Sequence, residues 1–104
     1  MATSRLEVLK SMVAHNPRDS FSRYGLAMEY RKAGNLEEAM REFRALIGVD
    51  PDYVPAYFHG GQTLEKLGEI EAARELYEAG VDAASRKGDH HGQSEMQAAL
   101  DLLS

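Results

Sequence analysis

A stretch of 34 residues that occurs twice in succession is the feature that most constrains this chain. Residues 20–53 and residues 54–87 align without a gap. The aligned positions carry identical or chemically similar side chains: Gly34 and Gly68, Ala39 and Ala73, Ala45 and Ala79, Lys32 and Lys66, Tyr24 and Phe58, Leu36 and Ile70, Phe43 and Tyr77, Ile47 and Val81. A fixed period of this size is typical of a repeat architecture, in which each unit packs against its neighbours.

Each unit contains two helical patterns. In the first unit, Leu26, Ala27 and Tyr30 form an apolar stripe with helical spacing, which predicts a helix from about residue 20 to residue 33. Gly34 then predicts a break, since glycine suits the position just past a helix end. A second helix is predicted from Leu36, with Asn35 as its N-cap, and it ends before Pro51. The unit is therefore a first helix, a tight turn and a second helix.

The two ends of the chain predict one additional helix each. Ser4 and Glu7 have capping-box spacing at the start of a helix over residues 4–15, which corresponds by the period to the second helix of a truncated unit. Residues 90–103 place Met96, Ala99 and Leu103 on one apolar face, which predicts a C-terminal capping helix. The sequence thus predicts an all-α fold of six helices in a single domain over residues 1–104.

Composition argues against several classes of function. The 104 residues contain no cysteine and carry a formal net charge of −5, which argues against a thiolate metal site and against a nucleic-acid-binding surface. No apolar run reaches the ~20 residues of a membrane span. The N-terminal residues show no signal-peptide pattern, so we expect a cytoplasmic chain, either complete or part of a longer protein. The sequence contains no motif that would bring a nucleophile, a general base and an orienting group together in one pocket. We therefore expect no enzymatic activity and no bound cofactor or metal.

The spacing of small and aromatic residues gives a family resemblance. The first unit reads Arg23-x-x-Leu26-Ala27-x-x-Tyr30, then Ala39-x-x-x-Phe43 and Pro51. The second unit repeats this with Tyr57-x-x-Gly60-Gly61-x-x-Leu64 and Ala73-x-x-x-Tyr77, while Ser85 stands where the proline is expected. These residues resemble the tetratricopeptide repeat (TPR). The resemblance implies antiparallel helix pairs stacked in a short right-handed superhelix that acts as a protein-interaction module.

A second stripe on the first helix of each unit is the candidate site. Helix geometry places Phe21, Tyr24 and Met28 roughly 130° from the core stripe. The resemblance implies that such positions face a concave groove. The candidate groove residues are Phe21, Tyr24, Met28, Arg31, Lys32, Phe58, Gln62, Glu65 and Lys66. Exposed aromatics with Arg nearby are typical of protein-binding hot spots, so we expect an apolar or amphipathic peptide or helix as the partner.

The same resemblance argues against one ligand known for some TPR domains, the C-terminal carboxylate of a chaperone. Tyr24 and Met28 occupy the places of a lysine and an asparagine in that clamp, and His59 replaces a second asparagine. Three alternatives to an open groove remain. In the first, the N-terminal or the C-terminal helix folds over part of the second stripe and makes it core. In the second, the stripe is buried in a homodimer, so that the chain is a structural or self-association domain. In the third alternative, the chain is an accessory domain that binds one catalytic partner.

Overall fold

Six helices form within residues 4–103, the part of the chain that the computed structural model describes. They are α1 (Arg5–His15), α2 (Ser20–Lys32), α3 (Leu36–Val49), α4 (Val54–Lys66), α5 (Ile70–Lys87) and α6 (His90–Leu103). These residues contain no strand. The prediction of an all-α fold with six helices is therefore confirmed.

The two tight turns inside the units have the same backbone geometry. Gly34 and Gly68 have φ of 84° and 80°, in the left-handed region that glycine adopts at little steric cost. In the first turn the Gly34 N–H donates to the Arg31 carbonyl at 3.0 Å and the Asn35 N–H donates to the Tyr30 carbonyl at 2.9 Å. This is the Schellman arrangement, which satisfies the last carbonyls of the helix. A glycine two residues past the last helical residue is what makes the helical hairpin possible.

Not all of the predicted caps form. The Ser4 hydroxyl accepts the Glu7 N–H at 3.1 Å, as the capping-box spacing predicts. Asn35 stands at the N-cap of α3 without a side-chain capping bond, so this part of the prediction is wrong. The carboxylate of Asp52, just before α4, accepts a hydrogen bond from Arg86 of α5 at 2.8 Å, and the two residues are 34 positions apart.

Successive helices pack antiparallel. Between α4 and α5, Tyr57 contacts Gly80 and Gly61 contacts Tyr77. The residue numbers rise along α4 while those of the contacting residues fall along α5, so the two helices run in opposite directions. The core lies between the helices of each pair and between adjacent pairs, and the side chains of Phe43, Tyr77 and Met96 are completely buried in it. This stacking leaves α2 and α4 side by side, and their adjacent faces position the candidate site.

The last part of the chain departs from the period. α5 is 18 residues long, whereas α3 is 14 residues long, and a link of only two residues follows it before α6. α5 continues to Lys87 and ends at Gly88, which has a φ of 69°. α6 then packs on α5 and α4, and Met96 lies against Gly80, where a Cβ would come 2.3 Å from the methionine sulfur.

Candidate functional site

The nine predicted groove residues lie on two neighbouring helices. Phe21, Tyr24, Met28, Arg31 and Lys32 are on α2, and Phe58, Gln62, Glu65 and Lys66 are on α4. Two contacts show that these helices adjoin. The Tyr24 ring centroid lies 6.0 Å from that of His59, and the Arg31 guanidinium donates to the Gln62 side-chain oxygen at 3.1 Å. The structure therefore brings the central members of the set onto one surface.

Aromatic rings form the centre of this surface. Tyr24 packs at 5.3 Å from Tyr53, and Phe58 packs at 5.4 Å from His59 and at 6.4 Å from Tyr77, measured between ring centroids. Tyr24 and Phe58 are half-buried and pack against the core, so part of each side chain stays accessible. Burial raises the pKa of the Tyr24 phenol, so its hydroxyl stays protonated and can donate a hydrogen bond.

Arg31 joins the two helices. Its guanidinium contacts His59 Nδ1 at 3.0 Å as well as the Gln62 oxygen. Because arginine can only donate, Nδ1 is the acceptor and the imidazole is neutral with its proton on Nε2. Burial and the adjacent guanidinium both lower the pKa of His59. Arg31 was predicted as a groove residue. In the structure its N–H groups donate hydrogen bonds to His59 and Gln62.

Two pockets open on this side of the molecule. The first, the N-terminal pocket, lies between α1 and α2, has a volume of about 350 Å³ and is lined by the apolar groups of Leu9, Met12, Phe21, Tyr24, Gly25 and Met28, with Arg5, Glu29 and Lys32 also in its lining. The second, the central pocket, has a volume of about 370 Å³ and is lined by Tyr24, Val54, Pro55, Phe58, His59 and residues 89, 91, 92 and 95. Tyr24 lines both pockets, so the surface is continuous.

The remaining predicted residues differ in their environment. Phe21 is 75% exposed and projects from the rim of the N-terminal pocket. Lys32 and Lys66 are exposed. Glu65 is held by the Tyr77 hydroxyl, which donates to its carboxylate, so this acid takes part in the packing of α4 on α5. Burial, followed by this carboxylate, raises the pKa of Tyr77, which keeps the phenol as the donor.

Residues from α6 complete the central pocket, and sequence reasoning missed them. Asp89 caps α6 by accepting the Gly92 N–H at 2.9 Å, and His91 lies 3.4 Å from Glu95. All of these residues line the pocket. The period gave no signal for them, because the longer α5 and the shorter link shift α6 out of the 34-residue register.

The terminal helices flank the second stripe and leave part of it open. α1 reaches α2 through Leu9, whose methyl group would lie 3.1 Å from a Cβ at Gly25. α6 reaches α4 at Val54, which would lie 2.9 Å from a Cβ at Gly92. Between these contacts Phe21, Tyr24 and Phe58 keep accessible surface. Complete burial of the stripe by a terminal helix is therefore not what the structure shows.

Residues 4–103 contain no group of three histidine or carboxylate side chains placed to hold a metal ion. Within the same residues, none of the helices combines the length and the apolar character needed to cross a membrane.

The fold and the repeat define the class of protein. A tetratricopeptide repeat family model matches residues 30–103 of this chain. The chain belongs to the TPR family, a class of helical repeats that serve as protein-interaction modules. The family resemblance deduced from the two 34-residue units is thus confirmed.

Known proteins resemble this chain over almost its whole length. A TPR repeat-containing protein of Pseudomonas aeruginosa is 29% identical over 98 residues, which are 94% of this chain and 93% of that protein. The solution structure of a TPR domain protein from Salinibacter ruber is 36% identical, with a TM-score of 0.80 over 86% of this chain and 90% of that one. PcrH, solved in complex with the chaperone binding region of PopD, is 15% identical, with a TM-score of 0.89 over 94% of this chain and 74% of that one.

Proposed function

We propose that this protein is a non-enzymatic adaptor whose central pocket binds an apolar or amphipathic segment of a partner protein. The observation that carries the proposal is the central pocket itself. Its lining includes the apolar groups of Tyr24, Val54 and Phe58 and the polar groups of His59 and Glu95. An apolar cleft with a few polar groups at its edge is the usual form of a site that buries one anchor side chain of a ligand.

The chemistry of the lining favours an apolar anchor. Aromatic rings that keep one accessible face gain stability when a ligand side chain covers that face, because apolar surface leaves water. The Tyr24 hydroxyl and the acidic groups of Asp89 and Glu95 add hydrogen-bonding partners for the backbone or for a basic residue of the ligand. We therefore propose an apolar side chain in the pocket with polar or basic residues beside it.

A carboxylate ligand fits this face poorly. The guanidinium of Arg31 is engaged with His59 and Gln62, so binding a carboxylate would have to displace these two contacts. Asp89 and Glu95 would also repel a negatively charged chain end. These contacts support the proposal of an apolar segment over a C-terminal carboxylate. The same fold in PcrH was solved with a protein segment bound, which supports a protein ligand in general terms.

A displayed library of random peptides tests the proposal. Peptides are selected on the wild-type protein and their affinities are then measured for a Tyr24→Ala/Phe58→Ala double variant. We expect selected peptides to share an apolar anchor and to lose at least ~10-fold in affinity for the double variant, since truncating a hot-spot residue costs ~2 kcal/mol or more.

Two controls separate lost binding from lost folding. The double variant must retain the wild-type helical signal in circular dichroism, and binding is compared at a temperature where both proteins are folded. The matched control is Ile70→Ala, which removes a 39% exposed apolar side chain from α5, outside the lining of the central pocket. Peptides that bind the double variant as tightly as the wild type would exclude the central pocket as the site.

A further inference from the structure

The lining of the central pocket carries negative charge that no cation of the lining opposes. Its described residues include the carboxylates of Asp89 and Glu95 but neither a lysine nor an arginine. Arg31 lies beside the pocket, but its guanidinium already donates hydrogen bonds to His59 and Gln62. The charge that this pocket offers to a ligand is therefore negative.

Of the two acids, Glu95 is the better placed to meet a ligand. Asp89 caps α6, where its carboxylate accepts the Gly92 N–H at 2.9 Å and interacts favourably with the helix N-terminus. Glu95 is exposed, and its contact with His91 at 3.4 Å is an ion pair only when the imidazole carries a second proton. A cation of the ligand can therefore approach Glu95 without displacing a helix cap.

Glu95 also lies close to the rings that an apolar anchor would cover. Burial and then Arg31 lower the pKa of His59, and Glu95 acts on this pKa in the opposite direction, so its carboxylate is near the imidazole. The His59 ring is in turn 6.0 Å from the ring of Tyr24 and 5.4 Å from that of Phe58, measured between centroids. An anchor on these two rings therefore places the next residues of the ligand beside Glu95.

Two further acids act on the neighbouring ring of Tyr53, which packs at 5.3 Å from Tyr24. Burial, followed by Tyr24, Asp50 and Asp19, raises the pKa of the Tyr53 phenol. The ring cluster thus lies in a negative field to which acids next to α2, α3 and α6 contribute. Such a field attracts a cationic segment and repels an anionic one.

We propose that the segment bound in the central pocket carries a lysine or an arginine next to its apolar anchor, and that Glu95 selects this basic residue. The inference rests on the proposed binding in that pocket, and it names the chemistry of the partner, a basic amphipathic segment. When the anchor covers Tyr24 and Phe58, water leaves the surface beside Glu95, and a carboxylate left there without a partner is costly. A basic residue of the ligand compensates this charge, whereas an acidic residue is repelled.

Short peptides with a fixed central leucine test this selectivity. Their flanking positions are drawn from alanine, serine, lysine and glutamate, and they are selected on the wild type, on Glu95→Lys and on Glu75→Lys. We expect lysine to be enriched beside the leucine on the wild type, and glutamate to be enriched at the same position on Glu95→Lys. Glu75 is exposed on α5, outside the lining of the pocket, so Glu75→Lys makes the same change in net charge and should select as the wild type does.

Affinities of one selected peptide give the magnitude. Exchange of its lysine for alanine should weaken binding to the wild type about 2- to 5-fold, as for a partly exposed ion pair, and added salt should reduce this difference. The unchanged peptide should bind Glu95→Lys about 4- to 25-fold more weakly than the wild type, because repulsion replaces attraction. Exchange of the peptide lysine for glutamate should restore binding to Glu95→Lys. Because Glu95 is exposed, we expect this variant to keep the wild-type circular dichroism spectrum.

Four results would overturn the inference. Leucine peptides without a preference for lysine would exclude the basic partner; if they still lose affinity for Tyr24→Ala/Phe58→Ala, the central pocket remains the binding site. Equal enrichment of lysine on the wild type and on Glu95→Lys would exclude Glu95 as the selecting group. Enrichment of glutamate on the wild type would indicate an acidic partner instead. Failure to select any peptide on the wild type would remove the proposed function and this inference with it.

Discussion

Replacing Gly61 by alanine tests how closely α4 and α5 must approach. A Cβ on residue 61 would lie 2.3 Å from Tyr77 Cε1, 2.6 Å from Cζ and 2.7 Å from Cδ1. The Tyr77 ring has no exposed surface, and its hydroxyl is held by Glu65. It therefore cannot move aside without separating the helices or breaking that hydrogen bond, and we expect Gly61→Ala to destabilise the fold.

Three terms set the magnitude. Overpacking of a well-packed interface costs about 1–3 kcal/mol. Displacing the Tyr77 hydroxyl from a charged acceptor costs about 1.5–3 kcal/mol. Alanine is better than glycine in a helix by about 1 kcal/mol, which opposes the other two terms. The free energy of unfolding should therefore fall by about 2–4 kcal/mol, which lowers the melting temperature of a domain of this size by at least ~8 °C.

The measurement is thermal and urea unfolding followed by circular dichroism, with Gly48→Ala as the matched control. Gly48 lies in α3, and a Cβ there would meet nothing within 4 Å. The same substitution at this position should raise the free energy of unfolding by about 1 kcal/mol, since only helix propensity changes. In a Tyr77→Leu background the cost of Gly61→Ala should shrink, because the ring that it strikes is gone. A Gly61→Ala protein as stable as the wild type would refute the close packing of α4 on α5.

Three other substitutions test the core and the site. Ala39→Phe places a large side chain at a completely buried position, so we expect a loss of about 1–3 kcal/mol in unfolding free energy and unchanged peptide affinity for the folded protein; a wild-type melting curve would contradict this placement. Met96→Ala should cost about 2–5 kcal/mol by leaving a cavity against Gly80, and hydrogen exchange that is no faster in α6 than in the wild type would speak against its packing role. Burial, then Arg31, lowers the pKa of His59 from its ordinary value of 6.5, so the unfolded chain binds the proton first and stability should fall as pH drops through 6.5. His59→Gln can still accept from Arg31 and should have a flatter stability profile in this range; identical profiles for the two proteins would exclude His59 as the cause.

The helix positions were predictable from local chemistry. The breaks at Gly34 and Gly68 recur at the 34-residue period, and each is a left-handed glycine that ends one helix and starts the next. The Ser4 cap was predictable for the same reason, since its partner Glu7 is three residues away. Such features depend on groups within about one helical turn of each other, so the sequence displays them directly.

The candidate site was predictable only in part. Helix geometry grouped Tyr24 with Met28, and both line the N-terminal pocket. The period matched Tyr24 with Phe58, and both line the central pocket. Arg31 was predicted as a groove residue, but its hydrogen bonds to His59 and Gln62 were not predicted, because these partners lie 28 and 31 positions away in sequence.

The sequence by itself determined the repeat unit, the number of helices and the face of each helix that is apolar. These follow from periodicity, because a stripe of apolar residues must be buried wherever it lies. The tertiary structure decided where α6 lies, which residues close the central pocket and which charges are engaged. The position of α6 depends on the lengths of the helix and the link that precede it. α5 has four more residues than α3 and is followed by a link of two residues, which moves α6 out of the 34-residue register. Only the packed structure therefore shows that Glu95 stands at the same pocket as Tyr24.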